Sequence, residues 1–413
     1  MKNTNKGFTL VELLVVIAML AILSTVTVIG LTGCIEQAKL SVDQQEVEQM
    51  NTVLDASKVA GAPETIKELA DLLKASDLNT KDGITASASG YAIYWFHNEK
   101  YNQIVLAKES DGSVHHPVDD SAMVTAFTAA QQANDASVYN LKKLAIGVFV
   151  GDTQYETLAA AIAAEFANSD SVTIDLYNDE YFAEPVTIPA GKSLVLNLNG
   201  CSISSVMTEN KGSALITNNG TFTINDATGK GLITTSALKP DMKDSPSYAN
   251  NVINNYGVLI LNGGTIENTT TEGYCTYAVD TYAGSTFEMN GGFLESKFDA
   301  LRIYASGNKV VTVDISGGTI TGSGSAIWLQ NLGTANVNIS GGTFVDTNAT
   351  DSWAAIHLGQ NSSTDAEGYT VEISGGVVTG NIYVQAQLSD SVTISNVTVS
   401  GEIIRDNDNN SKN

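Results

Sequence analysis

The chain opens on a short polar stretch, MKNTNKG (1–7), and then stays apolar for about 26 residues, FTLVELLVVIAMLAILSTVTVIGLTG (8–33). At about 1.5 Å of rise per residue this run makes a helix of roughly 39 Å, enough to cross a bilayer. The lysines before it keep the leader in the cytoplasm and send the remainder outward. Beyond Gly33 the pattern changes. Residues 36–55 are polar, free of Gly and Pro, and carry Leu40, Val47, Met50 and Val53/Leu54 at helical spacing. The helix is therefore expected to run to about residue 58 with an amphipathic outer half, Gly30 and Gly33 being its weak points.

Residues 64–76 (ETIKELADLLKAS) read as a short amphipathic helix. Two alternating bursts, Tyr91–His97 and Gln103–Lys108, flank the polar turn Asn98-Glu99-Lys100 and predict a small meander. Residues 121–146, rich in Ala and Gln, read as a helical linker. Residues 151–181 then read strand, helix, strand, with Asp152 or Thr153 and Thr157 offering N-cap chemistry. The Ala/Leu/Ile helix is placed to cover the open end of whatever sheet follows.

From Pro185 the chain repeats itself. VLILNGGTI (258–266), TFEMNGGFL (286–294), TVDISGGTI (312–320), NVNISGGTF (336–344) and TVEISGGVV (370–378) are copies of one strand-and-turn unit. Their Gly-Gly pairs begin at 263, 291, 317, 341 and 375, spacings of 28, 26, 24 and 34 residues. Apolar residues two apart, such as Val313/Ile315, point inward, and an Asn or Ser (Asn262, Asn290, Ser316, Ser340, Ser374) closes each strand before the glycine bend. Equivalent asparagines on successive turns can bond along the stack. This is the signature of a wide β-solenoid.

Composition sharpens the picture. With 45 acidic and 21 basic side chains the net charge is −24, which repels phosphate backbones and excludes nucleic acid as a partner of the main body. Cys34, Cys201 and Cys275 stand in no CxxC pair, so no zinc site is indicated, and Cys201 and Cys275 read as small buried residues. His97, His115 and His116 read as solvent-facing rather than as a metal site; no metal or cofactor is expected.

Glu12 is out of place, a carboxylate five residues into an apolar run that costs a few kcal/mol unless it has a partner. Lys6-Gly7 followed by Phe8-Thr9-Leu10-Val11-Glu12 resembles the processing signal of type IV prepilins and pseudopilins. The resemblance implies cleavage after Gly7 by a prepilin peptidase, N-methylation of Phe8, and pairing of Glu12 with the terminal amine of a neighbouring pilin-like subunit. It also implies that 59–120 form a pilin-like head. Leu31-Thr32-Gly33-Cys34 looks like a lipoprotein cleavage site, but that reading leaves Glu12 inside an overlong apolar segment. The repeats resemble right-handed parallel β-helices of the pectate-lyase type, entered through VTIPAGKSLVLNLNG (186–200). The expected organisation is a leader at 1–7, a long helix at 8–58 that is transmembrane over 8–33, a head at 59–120, a linker and cap at 121–184, an all-β helix of about eight rungs at 185–405, and a polar tail at 406–413.

A second strand lies between the Gly-Gly units. One of its outward columns reads Ile216, Ile253, Asp280, Arg302, Trp328, His357, Tyr383; the other reads Asn218, Asn255, Tyr282, Tyr304, Gln330, Gly359, Gln385. At about 4.8 Å per rung these form a ribbon roughly 30 Å long. Rings stack on sugar faces and amides read hydroxyls, so Asp280, Tyr282, Arg302, Tyr304, Trp328, Gln330, His357, Tyr383 and Gln385 are the candidate binding residues for a surface or host glycan. The first strand carries the outward column Ile260, Glu288, Asp314, Asn338, Glu372, in which Glu288 and Asp314 would sit on adjacent rungs. Two carboxylates so placed could hold calcium or act as a glycosidase pair. The acidic pairs and Gly-His-Gly of β-helix polygalacturonases are missing, and no catalytic residue is assigned. The function expected is adhesion by a surface subunit, the alternative a membrane-anchored polysaccharide lyase or hydrolase.

Overall fold

The computed structural model describes residues 10–59, 61–78, 84–115, 120–145, 147–207, 214–237, 251–270, 276–330, 333–348, 354–359 and 368–405; for 10–31, 145, 206, 207, 237, 386, 387 and 389 it describes the backbone alone. The chain divides into two compact units, residues 1–145 and 146–413.

In the first unit, helix α1 runs over Leu10–Ser57 and passes through Gly33 without a break. Its outer half buries the expected stripe: Val47, Met50 and Leu54 are fully enclosed. Two polar side chains fix its position. Asp43, 1% exposed, accepts hydrogen bonds from the Ser87 N–H, the Ser87 hydroxyl and the Ala88 N–H at 2.8, 2.6 and 2.9 Å. Asn51 donates to the Ile104 carbonyl and accepts from the Ile104 N–H, both at 2.8 Å, as a neighbouring strand would. Helix α2 (Ile66–Ala75) starts at a capping box between Thr65 and Glu68. Strands β1 (Tyr91–His97) and β2 (Asn102–Lys108) form the expected antiparallel pair.

Residues 121–145 are not a linker. Helix α3 (Ser121–Gln132) buries Met123 and Phe127 against β1 and β2, and β3 (Val138–Asn140) pairs with β1, giving the sheet order β2-β1-β3. The Ala/Gln composition concealed a helix whose two large apolar residues, four apart, complete the head's core. No helix among the described residues is long and apolar enough to cross a membrane. The expected span at 8–33 falls almost wholly outside those whose side chains are described.

The second unit begins with β4 (Val148–Val150) and β5 (Thr153–Tyr155), then α4 (Leu158–Phe166), capped by the Thr157 hydroxyl on the Ala160 N–H. Leu158, Ala161, Ile162 and Phe166 join the solenoid core, so α4 is the expected end cap. Then the chain passes in rotation through three sheets, each strand pairing in parallel with the strand three places later. That is the topology of a parallel β-helix. The first sheet starts at β6 (Ser171–Leu176), and among the described residues each sheet contains nine parallel strands, β4 and β5 adding an antiparallel edge to the first.

Nine coils thus replace the expected eight, and the first begins at Ser171 rather than Pro185. This coil carries little signal in the sequence because it lacks a Gly-Gly turn and its other two strands, Glu180–Tyr181 and Val186–Ile188, are short. Inward residues stack in register; Leu194, Phe222, Leu259, Phe287, Val313, Val337 and Val371 form one column of the core. The expected side-chain ladder forms at the strand ends. Asn290 donates to Asn262, Asn262 to Asn225, Asn225 to Asn197 and Asn197 to Asp175, at 2.9, 2.8, 2.9 and 2.7 Å, and Ser316 donates to Asn290 at 3.0 Å.

Candidate functional site

The ribbon lies on the third sheet, built from the strands Asn251–Asn255, Val279–Tyr282, Leu301–Tyr304, Ile327–Gln330, Ile356–Leu358 and Ile382–Val384. Asp280, Arg302, Trp328, His357 and Tyr383 stand side by side in one column. Tyr282, Tyr304 and Gln330 stand in the other. The upper coils differ from expectation by one residue. Ile253 pairs with Val279, and Asn254 is the neighbour of Asp280; Asn255 pairs with Thr281. A slip of one residue reverses the face of every side chain. Ile216 and Ile253 therefore face the core. Asn218 and Asn255, both 0% exposed, make a buried ladder: Asn218 donates to Asn255 at 2.9 Å and Asn255 to Thr281 at 3.0 Å.

The ribbon is also less open than an outward face suggests. Asp280 is 0% exposed and Trp328 7%; Arg302, His357, Tyr282, Tyr304, Gln330, Tyr383 and Gln385 are half-buried. Arg302 is the hub. Its Nε donates to Asp280 Oδ1 at 2.8 Å, one terminal nitrogen donates to Asp280 Oδ2, and the other to Gln330 Oε1 at 2.9 Å. The guanidinium carbon lies 4.5 Å from the ring centroid of Tyr277, 4.9 Å from Tyr304 and 5.7 Å from Tyr282. Asn251 adds a hydrogen bond to Asp280 Oδ2 at 3.1 Å. Burial alone would lower the Arg302 pKa, but the hydrogen bonds and charge of Asp280 hold it above its ordinary value. The bidentate pair spans two coils and the bond to Gln330 reaches a third. Arg302 thus stands on the outer side of the sheet, between the core-facing Leu301 and Ile303, with its guanidinium engaged as a clamp on Asp280 and Gln330.

What stays accessible is a tyrosine step. Tyr256, 45% exposed, stacks on Tyr282 with centroids 4.3 Å apart and planes at 15°, and Tyr304 follows at 5.8 Å. Tyr256 and Tyr277 were missed in the sequence. Tyr256 follows Asn255 directly, and aligning that strand one residue later would have placed it in line with Tyr282. Further down, His357 lies 4.8 Å from Tyr383, and burial pushes its imidazole down to about 4, so the ring is neutral at pH 7. Gln385 lies over Gly359, where an added Cβ would come 2.4 Å from its Oε1.

Asp299 adjoins this site. It is 9% exposed and accepts the Ser325 N–H at 2.7 Å, and burial raises its carboxyl to about 6. A folded value above the unfolded one of about 3.9 means that stability is full below pH 4 and is lost as the pH rises through 6. The shift corresponds to roughly 2–3 kcal/mol. Asp299→Asn keeps the acceptor for Ser325 and should flatten the pH 4–6 slope and raise the midpoint of denaturant unfolding at pH 7. An unchanged slope in the variant would show that Asp299 does not set it.

Glu288, Asp314, Asn338 and Glu372 are in register as expected, and Asn338 donates to Asp314 at 3.3 Å. Among the described residues no three His, Cys, Asp or Glu side chains are grouped as metal ligands would be. His97 stacks on Trp95 and pairs with Glu64 at 3.2 Å, and His115 packs on Tyr91; His116 lies outside the described residues. Cys201 is buried and Cys34 exposed on α1; Cys275 lies outside the described residues. Gly7 and Phe8 also lie outside them, and Glu12 sits on α1 with only its backbone described.

Comparison with known proteins touches only that end. No curated protein and no solved structure matches the chain. The family model of the prokaryotic N-terminal methylation motif matches residues 2–28, which hold Gly7, Phe8 and Glu12, so the chain carries a prepilin-type N-terminus, with the processing by prepilin peptidase and association with other pilin subunits that this motif implies.

Proposed function

We propose that this chain is a pilin-like or pseudopilin-like surface subunit that displays a β-helix of the pectate-lyase-like kind for adhesion. The observation that carries the reading is the methylation motif at 2–28 leading into one helix, Leu10–Ser57, whose outer half is packed and hydrogen-bonded into its own head. The membrane-spanning part is 8–33, and both folded units face outward. A 268-residue second unit (146–413) is bulky beside a head of this size, which suits a minor or tip subunit better than a filament repeat. Glycan contact falls to the tyrosine step and to the half-buried amides Gln330 and Gln385, with Arg302 and Asp280 holding the rings in place.

Mass spectrometry of the membrane-extracted protein tests the anchor. The mature chain is expected to begin at methylated Phe8, and Glu12→Ala is expected to be processed normally yet to lose co-purification with other pilin subunits by about tenfold or more. A mature chain beginning at acylated Cys34 would overturn the reading. For the display role, incubation with a glycan panel should give retention without new reducing or unsaturated ends; such ends would instead establish a lyase or hydrolase.

A further inference from the structure

The head contains a second feature that neither the N-terminal motif nor the ribbon uses. A cleft of about 410 Å³ opens between β1, the end of α3 and β3. That volume falls in the range of small-molecule sites, which combine ring or aliphatic walls with a few placed polar groups. Tyr94 supplies one wall. Its ring is backed by Phe127, with centroids 5.7 Å apart. Tyr139 supplies another, half-buried on the edge strand, with the Lys143 ammonium 5.8 Å from its ring centroid. Asp135 Oδ1 accepts the Ser137 N–H at 2.8 Å, which fixes the carboxylate on the rim. The amides of Gln131 and Asn140 complete the lining.

The chemistry of this lining is specific about charge. One carboxylate and one ammonium cancel, so the cleft has no net field to concentrate an ion of either sign. Amides, a phenol, a carboxylate and an ammonium together offer both donors and acceptors, which suits hydroxyl groups, themselves both. The half-buried Tyr139 ring offers an apolar face to a C–H surface, while Tyr94, 7% exposed, contributes only the edge of its ring. From these we infer that the head cleft is a binding site for a neutral, polyhydroxylated ring, one monosaccharide unit in size. It lies wholly in the first unit and stands or falls apart from the β-helix adhesion reading.

Saturation-transfer NMR on the full chain in detergent micelles tests this, with the methyl glycosides of glucose, galactose and N-acetylglucosamine as probes and glycine betaine as a zwitterionic control. At least one glycoside should receive saturation and betaine none. Tyr139→Ala should weaken that glycoside about tenfold and Tyr139→Phe less than about threefold, since the ring face is kept. Lys143→Met, on an exposed turn, should weaken it about threefold with the fold unaffected. The inference is overturned if no glycoside binds, if betaine binds in its place, or if binding survives unchanged in both Tyr139→Ala and Lys143→Met. Loss of the signal on changing Tyr256 instead of Tyr139 would place the sugar on the β-helix and overturn it equally.

Discussion

Arg302→Ala is expected to destabilise the β-helix by about 3–5 kcal/mol, because it strands a buried carboxylate. Asp280 is 0% exposed, and without Arg302 its side-chain partners are neutral ones, Asn251 at 3.1 Å and the Tyr282 hydroxyl. The change also removes the cation held among the rings of Tyr277, Tyr282 and Tyr304 and the bond to Gln330. Solenoids unfold in pieces, so the direct measurement is amide hydrogen exchange along 279–282, 301–304 and 327–330, where protection should fall most. Replacing both partners by leucine should recover much of the loss, since it removes both charges together. If Arg302→Ala alone leaves exchange in these three strands unchanged, the clamp is not stabilising.

Gly257→Ala is expected to cost about 3 kcal/mol or more, from backbone collision. Gly257 sits where the chain turns from the third sheet to the first. A Cβ there would lie 2.0 Å from the carbonyl oxygen of Gly220 one coil below, and a Cβ on Gly220 would lie 2.2 Å from that of Lys192. Neither carbonyl can retreat without loss: that of Gly220 accepts the Val258 N–H at 2.8 Å, and that of Lys192 the Thr221 N–H at 2.9 Å. An unfolding free energy from urea titration of Gly257→Ala within about 1 kcal/mol of the parent would show that the coils can separate there cheaply.

Much of this architecture was legible because each element has its own period. The stripe of Val47, Met50 and Leu54 could only be a helix face, and Val313/Ile315 and its copies could only be strands with a closing Asn or Ser. The Asn ladder followed from placing like residues on successive turns. Register was harder to read. Insertions before Asn251 and Thr276 change the spacing from the preceding turn, so that reading Asn255 as the counterpart of Tyr282 puts Ile253 and Asn255 on the wrong face. The first coil carries little signal because it lacks a Gly-Gly turn. Helix α3 reads as a linker because it buries only two large side chains, Met123 and Phe127.

The sequence by itself determined the two ends of the argument, the peptide bond Gly7–Phe8 with Glu12 behind it and the repeat of the β-helix, since both are local patterns whose meaning does not depend on distant contacts. The tertiary structure alone decided which side chains of the ribbon engage one another. That Arg302 engages Asp280 depends on the chain closing one coil over the 22 positions that separate them and on the burial of both side chains. A guanidinium deprived of water takes the nearest carboxylate, and only the fold places that carboxylate one rung away.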